Sequence, residues 1–404
     1  MTTHVPLRAS ARDVRLGYLR VFLTVLVVAH HAALAYHPFA PPAPSSLRTP
    51  PQLFAAFPIV DAQKWPAAPL FVGFNDVFFM SLLFLVSGVF VPSSLGRKGA
   101  SAFLRDRALT LGIPFVVSAA VLAPLAYYPS YRQTGPADAG AAAFVREWLA
   151  IGAWPAGPAW FLWVLLAFAT TAALVYRLAP RALDALGRRV GRLSARPAPF
   201  FLAVVAVSAA AYLPMAAAFR PEHWSGVGPF WVQTSRLLHY AAYFAIGMGL
   251  GAHGLDRDLF AHDGKLARRW PLWVAGSLAA FAVSLVAFFR IVATFGGAGS
   301  GPSAALSTFG NFTFVLSCAA TSLACLAVFV RFARRAVSVL DGLSEDAYGI
   351  YLFHYAAVSF LQLGLLGTSL PGGLKMAAVT AAAVSISWLV THALRLMPII
   401  RRVI

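Results

Sequence analysis

Long apolar stretches of about twenty residues recur along the chain and limit its possible folds more than any other feature. Of the 404 residues, 59% are hydrophobic and only 11% are charged, so the outside of a soluble domain with this composition could not be solvated. A helix needs about 20 apolar residues to cross a bilayer. The pattern predicts an all-α integral membrane protein. Because the connections are short, we expect one bundle and a single domain over residues 1–404.

Ten of these stretches have the length of a transmembrane helix. The spans are expected at about residues 15–37, 70–92, 108–128, 158–178, 199–218, 233–253, 271–290, 306–330, 345–367 and 373–395.

The basic side chains predict the orientation of the bundle. The formal net charge is +18, but the lysines and arginines are spread along the chain, so we expect no nucleic-acid partner. Most of them lie in every second connection, which is typical of cytoplasmic loops. We therefore predict that both termini are cytoplasmic and that the lipid bilayer is the partner. The first stretch is expected to stay in the membrane as a signal anchor.

Three connections have a distinct composition. Segment 38–69 is rich in proline and is either a passive loop or a lid over the outer mouth of the bundle. Segment 129–157 has room for a short interfacial helix at 138–151. Segment 177–198 is rich in arginine, which indicates either a hairpin or an amphipathic helix in contact with anionic lipids.

Ionisable side chains inside the first span are the strongest sign of function. Such groups are costly in a bilayer and by default mark a site or a buried partner. Arg20 and His31 are eleven residues apart, or about three helical turns plus 20°, so they share one face, whereas His30 lies about 80° away from it. This face predicts a polar track through the bundle. The alternative is that Arg20 extends to the interface and the histidines bond to neighbouring helices.

The predicted ninth span also contains polar and aromatic side chains. Ser344, Tyr348, Tyr351 and Tyr355 follow helical spacing and form one stripe, and His354 lies one step from it. Such a stripe is compatible with packing or an interface belt, but the histidine favours a site. Further polar residues occur at the ends of or within other spans: Asn75, Asp76, Ser87, Arg236 and His239.

Common motifs of soluble enzymes do not occur in the sequence, which has no GxSxG, HExxH or Walker motif. We expect no metal, because the cysteines and acids lack the spacing of metal ligands. Cys318 and Cys325 are seven residues apart on one predicted helix, roughly 10 Å, which excludes a direct disulfide.

Four stretches together resemble acyltransferase family 3, a family of bacterial membrane enzymes that acylate cell-surface sugars. The first is an arginine followed after ten residues by a histidine, matched by Arg20 and His31. The others are SGVFVPSSLGRKGASAFLRDRALTLGIPF, with Phe103 and Arg107, then GPAWFLWVLLAF and DAYGIYLFHY. The chain departs from the family at Gly17 and Thr110, where an aspartate and an arginine are common.

The resemblance implies a multi-pass enzyme of the bacterial cytoplasmic membrane with acyl-CoA, usually acetyl-CoA, as co-substrate and no bound cofactor. The acceptor would be a hydroxyl of a cell-surface or lipid-linked carbohydrate. Under this hypothesis His31 is the general base. The residues expected to bind acyl-CoA are Arg20, Arg105, Arg107 and Ser87. Tyr348 and His354 are further catalytic candidates, and Asp76 and Glu345 are the nearest candidates for an acid that pairs with His31.

Two other classes of function remain open from the sequence. A transporter or flippase for glycans or lipids would also place arginine and histidine inside a bundle, although the paired, Gly- or Pro-interrupted segments typical of transporters are not evident. A scaffold for envelope assembly would need neither Arg20 nor His31. The acceptor sugar, the acyl group and the oligomeric state are not determined by the sequence.

Overall fold

The computed structural model describes residues 13–40, 59–134, 140–152, 154–295 and 301–404. It is 80% helical, which confirms the prediction of an all-α protein. The only strands among the described residues form one short antiparallel hairpin.

The helices and strands are numbered in chain order. The helices are α1 (Val14–Leu34), α2 (Ala68–Val89), α3 (Val91–Thr134), α4 (Ala141–Ala150), α5 (Trp160–Leu178), α6 (Pro180–Ser194), α7 (Pro197–Phe219), α8 (Leu237–His253), α9 (Lys265–Arg268), α10 (Trp270–Ala293), α11 (Ala304–Phe332), α12 (Ser338–Leu365) and α13 (Gly372–Arg395). The strands are β1 (Trp224–Val227) and β2 (Phe230–Gln233).

A helix lies at each of the ten predicted spans. Among the described residues, eight helices are long and apolar enough to cross a membrane, namely α1, α2, α3, α5 with the turn before it, α7, α10, α11 and α13. Of the other two, α8 has 17 residues, and α12 has tyrosine, histidine and glutamine in its apolar part. The chain is thus a multi-pass membrane protein. The total of ten spans and the cytoplasmic termini stay predictions.

Several connections differ from, or complete, the sequence-based expectation. The helix at the sixth predicted span is α8. It begins at Leu237 rather than near 233, because residues 224–233 form the β hairpin. Helix α4 confirms the short helix expected at 138–151, within the residues described there. Helix α6 decides between the two alternatives for segment 177–198 in favour of an amphipathic helix. Most of the proline-rich segment, residues 41–58, lies outside the described residues.

Helix α1 is one of the most buried helices of the bundle. The carboxylate of Asp13 caps its first turn by accepting hydrogen bonds from the backbone N–H groups of Arg15 and Leu16, which satisfies donors that a helix start leaves free. It packs against α2, α11, α12 and α13, and two thirds of its apolar part is buried, compared with 11% for the peripheral α10. The polar residues of α1 are thereby held inside protein.

Helix α3 is irregular in a way that shapes the site. Its first segment ends in a sharp turn at Gly99, which has a φ of +73°, a conformation that only glycine adopts without strain. Two π turns follow, at Ala108–Gly112 and Ser118–Leu122. Such turns leave backbone carbonyls without their regular helical donors and are frequent at functional sites.

Helices α2 and α8 approach each other closely through glycines. A Cβ atom at Gly88, Gly247 or Gly251 would overlap a backbone carbonyl of the opposite helix. Small residues allow such close packing in membranes, where lipid tails provide no hydrophobic driving force between helices. This contact sets the position of the polar residues at the start of α8 relative to those of α2.

We expect Gly247→Ala to destabilise the protein by about 1–3 kcal/mol, because its new methyl group overlaps the carbonyl of Leu85. The matched control is Gly276→Ala in the second turn of α10, where nothing lies within 4 Å of the added Cβ and a small stabilisation is expected. Thermal unfolding in detergent measures both variants. Equal melting temperatures for the two would contradict the packing described for α2 and α8.

Candidate active site

Two cavities lie at successive levels along the bundle. The first, here called the histidine cavity, has a volume of about 190 Å³. Its lining includes His30, His31, Asp76, Phe79, Tyr127, Trp160, Trp224, Trp231, Gln233, Tyr240, Tyr351 and Tyr355. The second, the arginine cavity, has a volume of about 350 Å³. Its lining includes Arg20, Thr24, Ser87, Arg107, Thr110, Phe161, Phe244, Tyr348 and Tyr351.

The two cavities share one aromatic residue in their linings. Tyr351 lines both of them, and its hydroxyl donates a hydrogen bond to the backbone carbonyl of Pro158. On α1, Thr24 lines the arginine cavity and Val27 lines the histidine cavity, which separates the two levels by about one helical turn. The polar track predicted from Arg20 and His31 is therefore two chambers with Tyr351 between them.

The central feature of the histidine cavity is a contact between two histidines. Nδ1 of His31 lies 2.8 Å from the backbone carbonyl oxygen of Val27 and 3.3 Å from Nε2 of His354. Nδ1 of His354 lies 2.6 Å from the backbone oxygen of Tyr351, and the side chain of His354 is fully buried. The two imidazole rings come from α1 and α12.

These hydrogen bonds assign the tautomers of both rings. A carbonyl oxygen only accepts hydrogen bonds, so Nδ1 must carry the proton in His31 and in His354. Nε2 of His354 is then unprotonated. Its lone pair and the carbonyl oxygen of Val27 both accept the Nδ1–H of His31. The remaining nitrogen of His31, Nε2, is unprotonated. His31 thus has the form of the imidazole ring that can remove a proton.

Further contacts with α12 fix the position of His31. The side-chain amide of Gln362 donates to the backbone carbonyls of His31 and Ala32, at 3.2 and 3.1 Å. The ring of Tyr355 packs edge-on against His31, with ring centroids 5.2 Å apart. His30 stacks on Phe79 at 5.0 Å and, despite its offset of about 80° on the helix, also lines the histidine cavity. Helix α12 therefore supplies the support of the candidate base.

An ion pair forms the acidic side of the histidine cavity. The carboxylate of Asp76 accepts two hydrogen bonds from Arg236, at 2.9 and 2.6 Å. The side chain of Arg236 is buried, whereas that of Asp76 is 46% exposed, and the guanidinium also lies over the ring of Phe314. The sequence drew attention to Asp76 and Arg236 separately. Their pairing depends on the close contact between α2 and α8.

The arginine cavity brings together most of the residues expected to bind the co-substrate. Arg20, Ser87, Arg107 and Tyr348 all line it. The hydroxyl of Tyr348 donates to the backbone carbonyl of Thr110 at 2.5 Å, which lies in the first π turn of α3.

Three of the residues considered from the sequence lie apart from these contacts. Arg105 is exposed and is not part of the lining of the arginine cavity. Glu345 lies nine residues before His354 on α12, about 13 Å along the helix axis. Ser344 lies next to the start of α1. Its hydroxyl oxygen is 2.9 Å from the position that a Cβ atom would occupy at Gly17.

The β hairpin is the part of the site that sequence reasoning missed. Trp224, Trp231 and Gln233 belong to its strands and line the histidine cavity. The alternation of residues over 224–233 is too short to distinguish a strand from the start of the following helix. The dipeptide Gly228–Pro229 between two apolar segments was the available signal for a turn.

The arrangement is that of two adjacent cavities in a helical bundle, one lined by Arg20 and Arg107 and the other by His30 and His31. The family model of the acyltransferase domain matches residues 13–392. The chain belongs to acyltransferase family 3 and is a multi-pass membrane acyltransferase, which confirms the resemblance seen in the sequence. Neither a curated protein nor a solved structure matches the chain.

Proposed function

We propose that the protein transfers an acyl group, most simply acetyl, from acyl-CoA to a hydroxyl of a cell-surface or lipid-linked carbohydrate. The observation that carries the proposal is the junction of the two cavities at Tyr351, with arginines on one side and an imidazole base on the other. Two substrates that enter from opposite ends of the bundle would meet at this junction. The excess of basic residues in alternate connections supports a cytoplasmic location for the arginine cavity, in a bacterial inner membrane.

The arginine cavity suits the phosphorylated end of acyl-CoA. The guanidinium groups of Arg20 and Arg107 would bind phosphate oxygens, which their planar forks match well. Arg105 lies exposed on the same segment of α3 and would extend this positive surface. Ser87 and Tyr348 would line the path of the thioester. Since the hydroxyl hydrogen of Tyr348 is already donated to Thr110, we assign Tyr348 to this wall and not to proton transfer.

The histidine cavity would hold the acceptor hydroxyl. Nε2 of His31 would remove the hydroxyl proton while the oxygen attacks the thioester carbonyl. Collapse of the tetrahedral intermediate would break the carbon–sulfur bond. The imidazolium would then return the proton to the departing thiolate of CoA, so that the products are the ester and free CoA. No proton is gained or lost overall.

His354 would act as a positioning residue for the base. As His31 takes up a proton, its Nδ1–H becomes a stronger donor, and the lone pair on Nε2 of His354 lies 3.3 Å away to accept it. The neutral imidazole of His354 would thus fix the orientation and the tautomer of the His31 ring, with no carboxylate at Nδ1 of His31. The carboxylate of Asp76 is hydrogen-bonded to Arg236 and lines a part of the cavity wall separate from the His31–His354 pair.

We expect His31→Ala to lower the rate of acyl transfer by a factor of about 10² to 10⁴, the range for loss of a general base. The assay measures free thiol released from acetyl-CoA by the purified protein in the presence of a glycan acceptor. His223→Ala is the control, because this histidine is exposed and lines neither cavity. A His31→Ala variant that is well folded and retains full activity would exclude this mechanism.

Replacement of His354 tests the positioning role. His354→Leu removes the acceptor for Nδ1–H of His31, and we expect a loss of about 10- to 100-fold in turnover. His354→Gln can present an amide oxygen to the same N–H and should recover part of the activity. The dependence of the rate on pH, measured for both variants, separates this role from a packing defect. Equal losses and unchanged pH profiles in the two variants would contradict it.

A further inference from the structure

Part of the wall of the histidine cavity is an aromatic surface, to which the β hairpin contributes two tryptophans. Trp224 from β1 and Trp231 from β2 both line the cavity, together with Trp160 at the start of α5. Both hairpin tryptophans are half-buried. Exposed aromatic surface next to polar groups is typical of sites that bind small molecules.

The hairpin is held rigidly in this position. The indole N–H of Trp163 on α5 donates to the backbone carbonyl of Trp231 at 3.1 Å, and the indole N–H of Trp231 donates to the carbonyl of Gly228 at 2.8 Å. The amide of Gln233 donates to the carbonyl of Pro221 at 2.6 Å. Gly228 has a φ of +57°, as the first position of a two-residue hairpin loop often requires. A wall fixed in this way loses little entropy when a ligand binds.

The aromatic rings have fixed mutual orientations. The ring of Trp224 meets Trp160 edge-on, with centroids 5.7 Å apart and an interplanar angle of 88°. The ring of Trp160 in turn stacks on that of Tyr240, with centroids 5.7 Å apart and an interplanar angle of 30°. Pyranose rings have a face of axial C–H groups that packs against aromatic planes, while their hydroxyls point outward from the rim. An aromatic corner of this kind suits such a ring better than it suits a flexible polyol.

Polar groups lie around the rest of the cavity. The carboxylate of Asp76 is partly exposed, and the amide nitrogen of Gln233 is occupied by Pro221, which leaves its oxygen as an acceptor. Together with Nε2 of His31, these atoms are acceptors for the hydroxyl hydrogens of a sugar. Arg236 neutralises Asp76, so the pair adds no net charge. The composition of the cavity matches an uncharged sugar.

We infer that the histidine cavity is a binding site for a single pyranose ring, stacked on the tryptophans of the β hairpin, with Asp76 accepting a hydroxyl next to the one that faces His31. The volume of about 190 Å³ is below the roughly 300–1,000 Å³ of pockets for larger ligands, which suits one ring rather than an oligosaccharide. The acceptor is therefore a terminal sugar residue. The assignment of this ring as the acceptor rests on the proposed function.

The test measures binding of simple glycosides without acyl-CoA. Methyl β-glucopyranoside, methyl β-galactopyranoside and the methyl glycoside of N-acetylglucosamine are titrated into the full-length protein in detergent, and binding is followed by calorimetry. We expect saturable binding of at least one of them in the millimolar range, without competition from the open-chain polyol sorbitol. Loss of an aromatic face in Trp224→Ala or Trp231→Ala should weaken binding roughly three- to tenfold.

Two further variants distinguish the loss of ring stacking from a disruption of the hairpin fold. Trp224→Phe keeps an aromatic face and should retain most of the affinity. Val227→Ala is the matched control on the same hairpin, since Val227 is 83% exposed and does not line the cavity; its affinity should equal that of the unchanged protein. Absence of saturable binding by all three glycosides, or equal affinity in Trp224→Ala and the unchanged protein, would overturn the inference.

Acyl transfer measured in parallel distinguishes this inference from the proposed function. Binding that depends on Trp224 without acyl transfer from acetyl-CoA would leave the sugar site in place and refute the enzyme mechanism. Acyl transfer with a KM for the acceptor that is unchanged in Trp224→Ala and Trp231→Ala would support the mechanism and refute the stacking site.

Discussion

Lipid tails offer no hydrogen bonds, so every polar group inside a membrane bundle must find its partner within the protein or in a water-filled cavity. This constraint determines the chemistry of the site. The backbone carbonyls of Val27 and Tyr351 each accept an N–H from a histidine ring, and the two rings meet each other. The result is an imidazole with a defined tautomer, held in position by α12. A solvated histidine would exchange between tautomers and orientations.

The same constraint explains the separation of the two cavities. Each has its own set of polar residues, and Tyr351 lies between them with its hydroxyl satisfied by the carbonyl of Pro158. The anionic co-substrate that we propose would be kept on the arginine side, and only its reactive end would reach the level of His31. The π turns of α3 and the glycine contacts between α2 and α8 bring the required residues to this junction. Irregular helices and small residues thus serve the same purpose here, which is to place polar atoms deep in an apolar bundle.

Most of the fold, and part of the site, could be predicted from the sequence. Helix periodicity placed Arg20 and His31 on one face of α1, because eleven residues return almost to the same side. The pairing of His31 with His354 could not be predicted in this way, since it depends on how α1 and α12 pack. The β hairpin was missed because its two strands have four residues each and continue into a helix. Long-range contacts, rather than local propensity, decided these features.

We propose that donor and acceptor approach from opposite sides of the membrane and meet at His31. The most direct measurement uses proteoliposomes in which the protein has one known orientation, with acetyl-CoA confined to the side of the arginine cavity. We expect an impermeant glycan acceptor to be acylated only when it is on the other side of the membrane. Acylation that requires both substrates on the same side would refute this arrangement of the two substrates.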